Sequence, residues 1–392
     1  MGKATSLFSQ LLSLFPKTIF YSLVKKHSSD RGAKGFSSWA HFVSMFFCQL
    51  AHSGSLRDIC NGLKCSLGNL RHLGIMGLPN KSTLSYANGH RPAAMFEEFF
   101  HEIYGHFIAR SGCSIRKGRF RFKNKLVSID STVVELSLAI FPWADFNRTK
   151  GGVKVHTMLD HDSYMPSFVN MSLAKVHDVK FARILDLAPG TIVAMDKGYV
   201  DYSLFSEWTR KGIFFVTRLK ENAVYEIVEK RHVPVSRSNI LSDEIIALSG
   251  KYASGKCPDL LRRIVVWDEK NEKELTLLTN HMAFGSTTIS AIYKDRWEIE
   301  LFFKALKQNL KIKTFVGTTE NAIRIQIWTA LIAMLLLKWM HFMSREVWAL
   351  SNLAYLLRIN LFTHRDFWEW LHHPFESEPI SPRPEQPTLV FT

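Results

Sequence analysis

One segment in the last third of the chain has residue types and spacing suited to phosphate chemistry. In YKDRWEIELFFKALK (293–307), four polar residues are spaced by three, four and seven positions: Tyr293, Arg296, Glu300 and Lys307. At about 100° per residue, this spacing predicts one narrow polar stripe on a single helix. A carboxylate flanked by two cations and a phenol can hold a metal ion next to a phosphate. The alternative is a surface helix with ordinary charge pairs.

Two aspartates at strand positions are candidates for the same site. Asp130 lies inside the β-rich apolar run LVSIDSTVV (126–134), where a carboxylate is disfavoured. Asp196 ends the run TIVAMD (191–196), so it falls at the carboxyl end of a strand, where ligands gather in α/β sheets. Together with Glu300 they offer shared oxygen ligands for two divalent ions. Alone, either aspartate is equally explained as a strand-end or turn residue.

The elements around these residues are predicted from hydrophobic patterning. Strands at 153–159 and 168–173 complete an antiparallel meander with the Asp130 strand. A helical pattern at 202–210 and a strand at 213–219 follow Asp196. Between 222 and 285, short β-rich runs predict a mostly β insertion, with an irregular linker as the alternative. The apolar stretch 322–342 predicts a buried helix that packs on the core.

The N-terminal part is predicted to be helical and basic. Lys81 and Arg91 flank a short helix that forms a helix-turn-helix pattern with the preceding helix, and both are expected to contact DNA phosphates. Any small helical bundle would give the same pattern. The segment RKGRFRFKNK (116–125) interleaves six cations with two phenylalanines, which suits a nucleic-acid backbone. A solvated basic linker explains it equally well.

The charge distribution favours a polyanionic partner. Of the formal net charge of +15, most comes from residues 1–125, which hold 18 Lys and Arg against 5 Asp and Glu. Nucleic acid is the first expectation and a membrane surface the second; a basic domain kept soluble by its charge is the alternative. Five cysteines without a CxxC pair indicate a reducing compartment. The absence of a convincing signal peptide or bilayer-spanning run predicts a soluble, cytoplasmic protein with no membrane partner.

The motifs together resemble bacterial insertion-sequence transposases of the DDE class, in the branch marked by Y-x2-R-x3-E-x6-K. That signature is complete here. Flanking blocks match in the same order: IDST at 129–132, FPWADFNRTKGGVKVHTMLD at 141–160, HD at 177–178 and MDKGYVD at 195–201. The resemblance covers about residues 120–340, and the N-terminal region is similar to a helical domain that often precedes this core.

The resemblance implies an α/β, ribonuclease-H-like core, in which a mixed sheet is flanked by helices, with a β-rich insertion and an all-α N-terminal domain. The expected domains follow: 1–115, helical and DNA-end-binding; 116–125, a basic linker; 126–221 with 286–345, the catalytic core; 222–285, the insertion; and 346–392, a C-terminal helical segment with a flexible tail.

The resemblance also implies roles for individual residues. Asp130, Asp196 and Glu300 would be the catalytic residues and ligands of two Mg²⁺ ions, or Mn²⁺ in their place, with no small-molecule cofactor. Tyr293, Arg296 and Lys307 would contact DNA phosphates near the cut end. Trp297 would stack on an unpaired base or pack in the core. Further DNA contacts are expected from Lys150, Lys154 and His156.

The implied reaction is hydrolysis at the element ends, followed by attack of the freed 3′-hydroxyl on target DNA. A hairpin intermediate can form in this branch, and no covalent protein–DNA bond is expected. The expected partners are double-stranded DNA and a second protomer on paired ends, and the protein is expected at the bacterial nucleoid. The competing hypotheses are another ribonuclease-H-like nuclease, such as a junction resolvase, and a domesticated, non-catalytic DNA-binding protein.

Overall fold

The computed structural model describes residues 5–65, 72–77, 79–111, 119–147, 150–233, 239–377 and 379. The chain divides into two compact units, one formed by residues 1–111 with 305–392 and the other by residues 112–304. Most of the tail predicted to be flexible lies outside the described residues.

The unit of residues 112–304 is built on one ten-stranded sheet. Its strands are β1 (Leu126–Leu136), β2 (Asp145–Asn147), β3 (Lys150–Asp160), β4 (Met165–Leu173), β5 (Ile192–Met195), β6 (Phe214–Arg218), β7 (Tyr225–Lys230), β8 (Ile240–Leu248), β9 (Leu261–Asp268) and β10 (Lys273–Thr279). Helices α7 (Asp178–Arg183), α8 (Tyr202–Arg210), α9 (Ala253–Lys256) and α10 (Ser286–Asp295) belong to the same unit.

The first part of the sheet has the ribonuclease-H-like arrangement. β1, β3 and β4 form an antiparallel meander, whereas β5 and β6 continue the sheet parallel to β1. All four residues of β5 are buried, as expected for a parallel strand covered on both faces. The predicted meander and fold class are therefore confirmed.

The β-rich insertion continues this sheet. β10 pairs antiparallel with β6, and β9, β8 and β7 follow in order. The mostly β insertion predicted between 222 and 285 is therefore confirmed. Hydrogen bonding across β6 and β10 makes the insertion an extension of the core sheet.

The segment that carries the signature is two helices, so the prediction of one continuous helix is wrong. α10 ends at Asp295 and α11 spans Trp297–Asn309, with Arg296 between them as the cap of α10. Tyr293 therefore lies on a different helix from Glu300. One face of α11 is apolar and buried, because Ile299, Phe302 and Leu306 are each at most 1% exposed.

The other unit is helical. Its N-terminal helices are α1 (Leu7–Ser13), α2 (Lys17–Lys26), α3 (Ser38–Ala51), α4 (Leu56–Lys64), α5 (Lys81–His90) and α6 (Ala93–Arg110). Its C-terminal helices are α12 (Glu320–Met343), α13 (Leu350–Asn360) and α14 (Phe367–His372).

Helix α12 packs on α3, α5 and α6. The predicted grouping of residues 286–345 with the core differs from the division into two units, because residues 305–345 belong to the same unit as the N-terminal helices. A helix that is apolar on nearly all sides is stabilised by burial among other helices. α12 is long and apolar enough to cross a membrane, and the bent pair α1–α2 also passes that test jointly, but 89% of the apolar window of α12 is buried. Within it, Gln326 donates to the carbonyls of Lys311 and Thr314 over 2.8 and 2.9 Å. The predicted buried helix is confirmed.

The aromatic residues of the basic segment belong to the core. Phe120 stacks on Phe122, and Phe122 stacks on Phe284, with ring centroids 5.0 and 4.9 Å apart. Packing within the unit accounts for these half-buried rings, whereas a nucleic-acid contact of the segment stays a prediction. The alternating residues Arg119, Arg121 and Lys123 are exposed.

Candidate active site

Three elements bring the predicted carboxylates to one end of the sheet. Asp130 lies in the middle of β1, and Asp196 follows the last residue of β5. The two strands are paired, and Ile129 is the partner of Met195. Asp130 and Asp196 each come directly after one of these two paired residues. Glu300 lies in the first turn of α11, where a negative charge is favoured by the helix dipole.

Two arginines hold these carboxylates. The Arg296 guanidinium lies between two of them, with Nη2 2.7 Å from Glu300 Oε1 and Nη1 3.5 Å from Asp130 Oδ2. Arg218, the last residue of β6, places Nη2 2.7 Å from Asp196 Oδ1. The ring of Tyr293 lies 5.5 Å from the Arg296 guanidinium carbon, within cation–π range.

The electrostatics differ between the two aspartates. Burial raises the pKa of Asp130 to about 6, and the charges of Glu300 and Asp196 add to the rise, whereas the Ser131 amide and Arg296 oppose it. For Asp196, burial also raises the pKa, but hydrogen bonds from Arg218 and the Lys197 amide, together with the charges of Arg218 and Arg296, outweigh burial, and the pKa ends below its usual value. A cation bound beside Asp130 would oppose the rise that the charges of Glu300 and Asp196 cause in its pKa.

The donor chemistry fits a hard divalent cation. The available ligands are carboxylate oxygens, which Mg²⁺ prefers. Among the described residues, no three His, Cys, Asp or Glu side chains converge closely enough to share one ion. Instead, the guanidinium groups of Arg296 and Arg218 contact the carboxylate oxygens.

Other residues predicted near the DNA have different positions. Trp297 is 55% exposed, so the alternative of core packing is wrong. Lys154 is mostly buried, donates to the Val176 carbonyl over 2.9 Å and pairs with Asp178 at 3.2 Å. His156 is 1% exposed. These positions contradict the prediction that Lys154 and His156 face DNA.

The remaining candidates are spread over the chain. Lys150 is the first residue of β3 and lies at the edge of the part described. Lys307 lies in α11 and is half-buried. Lys81 is the first residue of α5 and is exposed.

Arg91 has a structural role, so the prediction that it contacts a phosphate is wrong. It is 8% exposed, and its guanidinium donates to the carbonyls of Ser29, Phe36 and Ser37 and contacts Asp30. These acceptors lie on the segment that joins α2 to α3. The cation therefore satisfies buried backbone groups that would otherwise be unpaired.

Sequence reasoning missed Arg218. Asp196 was predicted to be at the site because it ends a strand, and Arg218 also ends a strand. The carboxyl ends of adjacent parallel strands meet at one edge of the sheet, so the same rule could have identified Arg218. The buried phenol of Tyr199, whose pKa is raised by burial and by nearby Asp130, was also missed.

The chain is similar to several known proteins. A solved structure of a piggyBac transposase synaptic complex with hairpin DNA matches 91% of this chain and 79% of that chain, at 11% identity and a TM-score of 0.39. A protein of Sinorhizobium fredii named as a transposase is 33% identical over 291 residues, 74% of this chain and 79% of that protein. A second relative, from Geobacillus stearothermophilus and named as a transposase for an insertion-sequence element, is 29% identical over 230 residues, 58% of this chain and 59% of that protein.

Two protein families match parts of the chain. Residues 3–76 match a domain of unknown function. Residues 121–336, more than half of the chain, match the transposase DDE domain and include all three carboxylates. The chain therefore belongs to the DDE transposase family and is a DNA transposase of the bacterial insertion-sequence type.

Proposed function

We propose that the chain cuts the ends of its element by divalent-metal-dependent hydrolysis and joins the freed 3′-hydroxyl ends to target DNA. The observation that carries this proposal is the bridge that Arg296 forms between Asp130 and Glu300. It places carboxylates from a strand and a helix around one cationic group. The metal ions would bind to the same carboxylate oxygens in place of Arg296.

Asp130, Asp196 and Glu300 would hold two Mg²⁺ ions, or Mn²⁺ in their place. When bound, the ions supply an activated water or 3′-hydroxyl and stabilise the leaving oxygen. Arg296 and Arg218, released from the carboxylates, carry guanidinium groups that can pair with phosphate oxygens. Tyr293, beside Arg296, adds a hydroxyl donor.

Further contacts to DNA are assigned by exposure and charge. Trp297 presents its ring at the start of α11 and can stack on an unpaired base. Lys307 on α11 and Lys81 on α5 are proposed to neutralise phosphates, and Lys150 is retained as a candidate. Because an element has two ends, and both must be cut and joined to target DNA, we propose a homodimer on paired ends.

The test is cleavage of a DNA fragment that carries the coding sequence with its natural flanks, in Mg²⁺ and in chelator. The wild-type protein should nick the element ends only with the metal. Glu300→Gln should abolish nicking but retain DNA binding. Glu298→Gln makes the same change two residues away in α11 and should cut like wild type. Metal-independent cutting, or cutting by Glu300→Gln, would refute the proposal, and binding without any cutting would favour a non-catalytic DNA-binding protein.

A further inference from the structure

A buried network of hydrogen bonds runs from Ser128 through His161 to Asp295, the residue before Arg296. Ser128 Oγ lies 2.6 Å from His161 Nε2, and His161 Nδ1 lies 2.7 Å from Asp295 Oδ2. The three residues are 0%, 5% and 2% exposed. Buried polar chains of this kind hold their members in a fixed arrangement when every group is paired.

These hydrogen bonds join β1, the residue that follows β3, and the end of α10. Ser128 lies on β1, two residues before Asp130. His161 directly follows β3, the strand paired with β1. Asp295 is the last residue of α10, and Arg296 separates it from α11. The hydrogen bonds therefore connect the strand that carries Asp130 to the helix break that carries Arg296.

Asp295 occupies a position that disfavours its charge. It is buried, and the carboxyl end of a helix repels an anion. Burial raises the pKa of its carboxyl, but His161 and Arg119 outweigh burial and hold the pKa below its usual value. Arg119 Nη1 lies 2.7 Å from Oδ1, and the Tyr164 hydroxyl donates to Oδ2 over 3.3 Å. Three donors from separate segments thus fix one ionised carboxylate at the helix break.

The order Ser–His–Asp is that of a hydrolase triad, in which the serine attacks a substrate. Ser128 is fully enclosed, so its hydroxyl does not reach a substrate. We propose instead that His161 and Asp295 are positioning residues, which fix the break between α10 and α11 and thereby fix the backbone position from which Arg296 reaches Asp130, Glu300 and a bound phosphate. This inference rests on the proposed function, because its effect on catalysis passes through those residues.

The test compares His161→Phe, which keeps the ring and removes both hydrogen bonds, with Asp243→Asn. Asp243 forms another buried ion pair of this unit, with Arg262 at 2.6 Å on β8 and β9, so its variant controls for loss of stability alone. His161→Phe should slow nicking at saturating DNA by about 10- to 100-fold, with an unchanged Kd for DNA. Ser128→Ala, which keeps the bond to Asp295, should show a smaller loss. Asp243→Asn should lower Tm and leave nicking, measured well below Tm, unchanged.

Two further readouts separate positioning from stability. In the Arg296→Gln background, His161→Phe should cause little additional loss, because residues that act through one another are not additive. Hydrogen exchange of the backbone amides of 296–300 should accelerate in His161→Phe and not in Asp243→Asn. Wild-type nicking and exchange in His161→Phe would overturn the inference, as would full additivity with Arg296→Gln. If the wild-type protein cuts nothing, the proposed function fails, and the exchange measurement still decides whether His161 fixes the helix break.

Discussion

Arg218 Nη2 lies 2.7 Å from Asp196 Oδ1, at the ends of two adjacent parallel strands. The two residues are far apart in sequence, and the pairing of β5 with β6 brings them together. This pair keeps a half-buried carboxylate ionised. The carboxylate of Asp196 must be ionised to bind a metal.

Replacement of Arg218 by Gln should therefore move the pH dependence of cleavage. Burial raises the pKa of Asp196 and Arg218 lowers it, so the substitution should raise that pKa. The acidic limb of the pH–rate profile should shift to higher pH. Arg218→Lys keeps the charge and should shift it less, and the exposed Arg210→Gln on α8 should not shift it. An acidic limb unchanged in Arg218→Gln would contradict this prediction.

Replacement of Asp130 by Asn should stabilise the metal-free protein at neutral and alkaline pH. The pKa of Asp130 rises from 3.8 to about 6 on folding, so between these values the folded state binds a proton that the unfolded chain does not. The contribution of this group to stability therefore falls as pH rises through that window. The gain for the variant is at most roughly 3 kcal/mol at about pH 8 and should shrink towards pH 5. Denaturant unfolding in chelator measures it, and a variant less stable than wild type at pH 8 would disprove the expectation.

Divalent metal should stabilise the folded protein through the same carboxylates. A ligand that binds only the folded state at about 100 times its Kd adds roughly 2.7 kcal/mol. Mn²⁺ should therefore raise the Tm of the wild-type protein. The rise should be smaller in Asp130→Asn and Glu300→Gln and normal in Glu298→Gln. An equal rise in all four proteins would place the metal elsewhere.

Arg91→Gln should destabilise the helical unit without weakening DNA binding by the folded protein. The substitution leaves buried carbonyls of Ser29, Phe36 and Ser37 without their donor. Loss of a buried, hydrogen-bonded charge costs about 3 kcal/mol or more. Thermal unfolding and DNA binding at low temperature would report the two effects separately. An unchanged Tm together with weaker DNA binding would instead support the prediction that Arg91 contacts a DNA phosphate.

The strands that carry the carboxylates were predictable because their signals are local. β-branched and apolar runs around Asp130 and Asp196 specify strands within a few residues. The helix break at Arg296 was not predictable in this way, because the partners of Asp295 are His161 and Arg119, far away in sequence. Phe122 likewise packs on Phe284, and the pattern RKGRFRFKNK contains no sign of that partner.

The same limit explains the error at Arg91. A cation next to a predicted helix indicates charge, but charge alone does not distinguish a phosphate partner from a set of carbonyls. Arg218 shows the opposite case. Its residue type was visible, but its importance depends on the parallel pairing of β5 and β6, which a single sequence leaves open.

The pairing of β10 with β6 also has a consequence for synthesis of the protein. β6 is completed at residue 218, but its antiparallel partner begins only at residue 273. A nascent chain released or truncated between these points would leave the backbone of β6 as an open edge, a template for aggregation. We therefore expect 3′-truncated copies of the gene to yield insoluble products, and the insertion to protect the strand that carries Arg218 once translation passes β10.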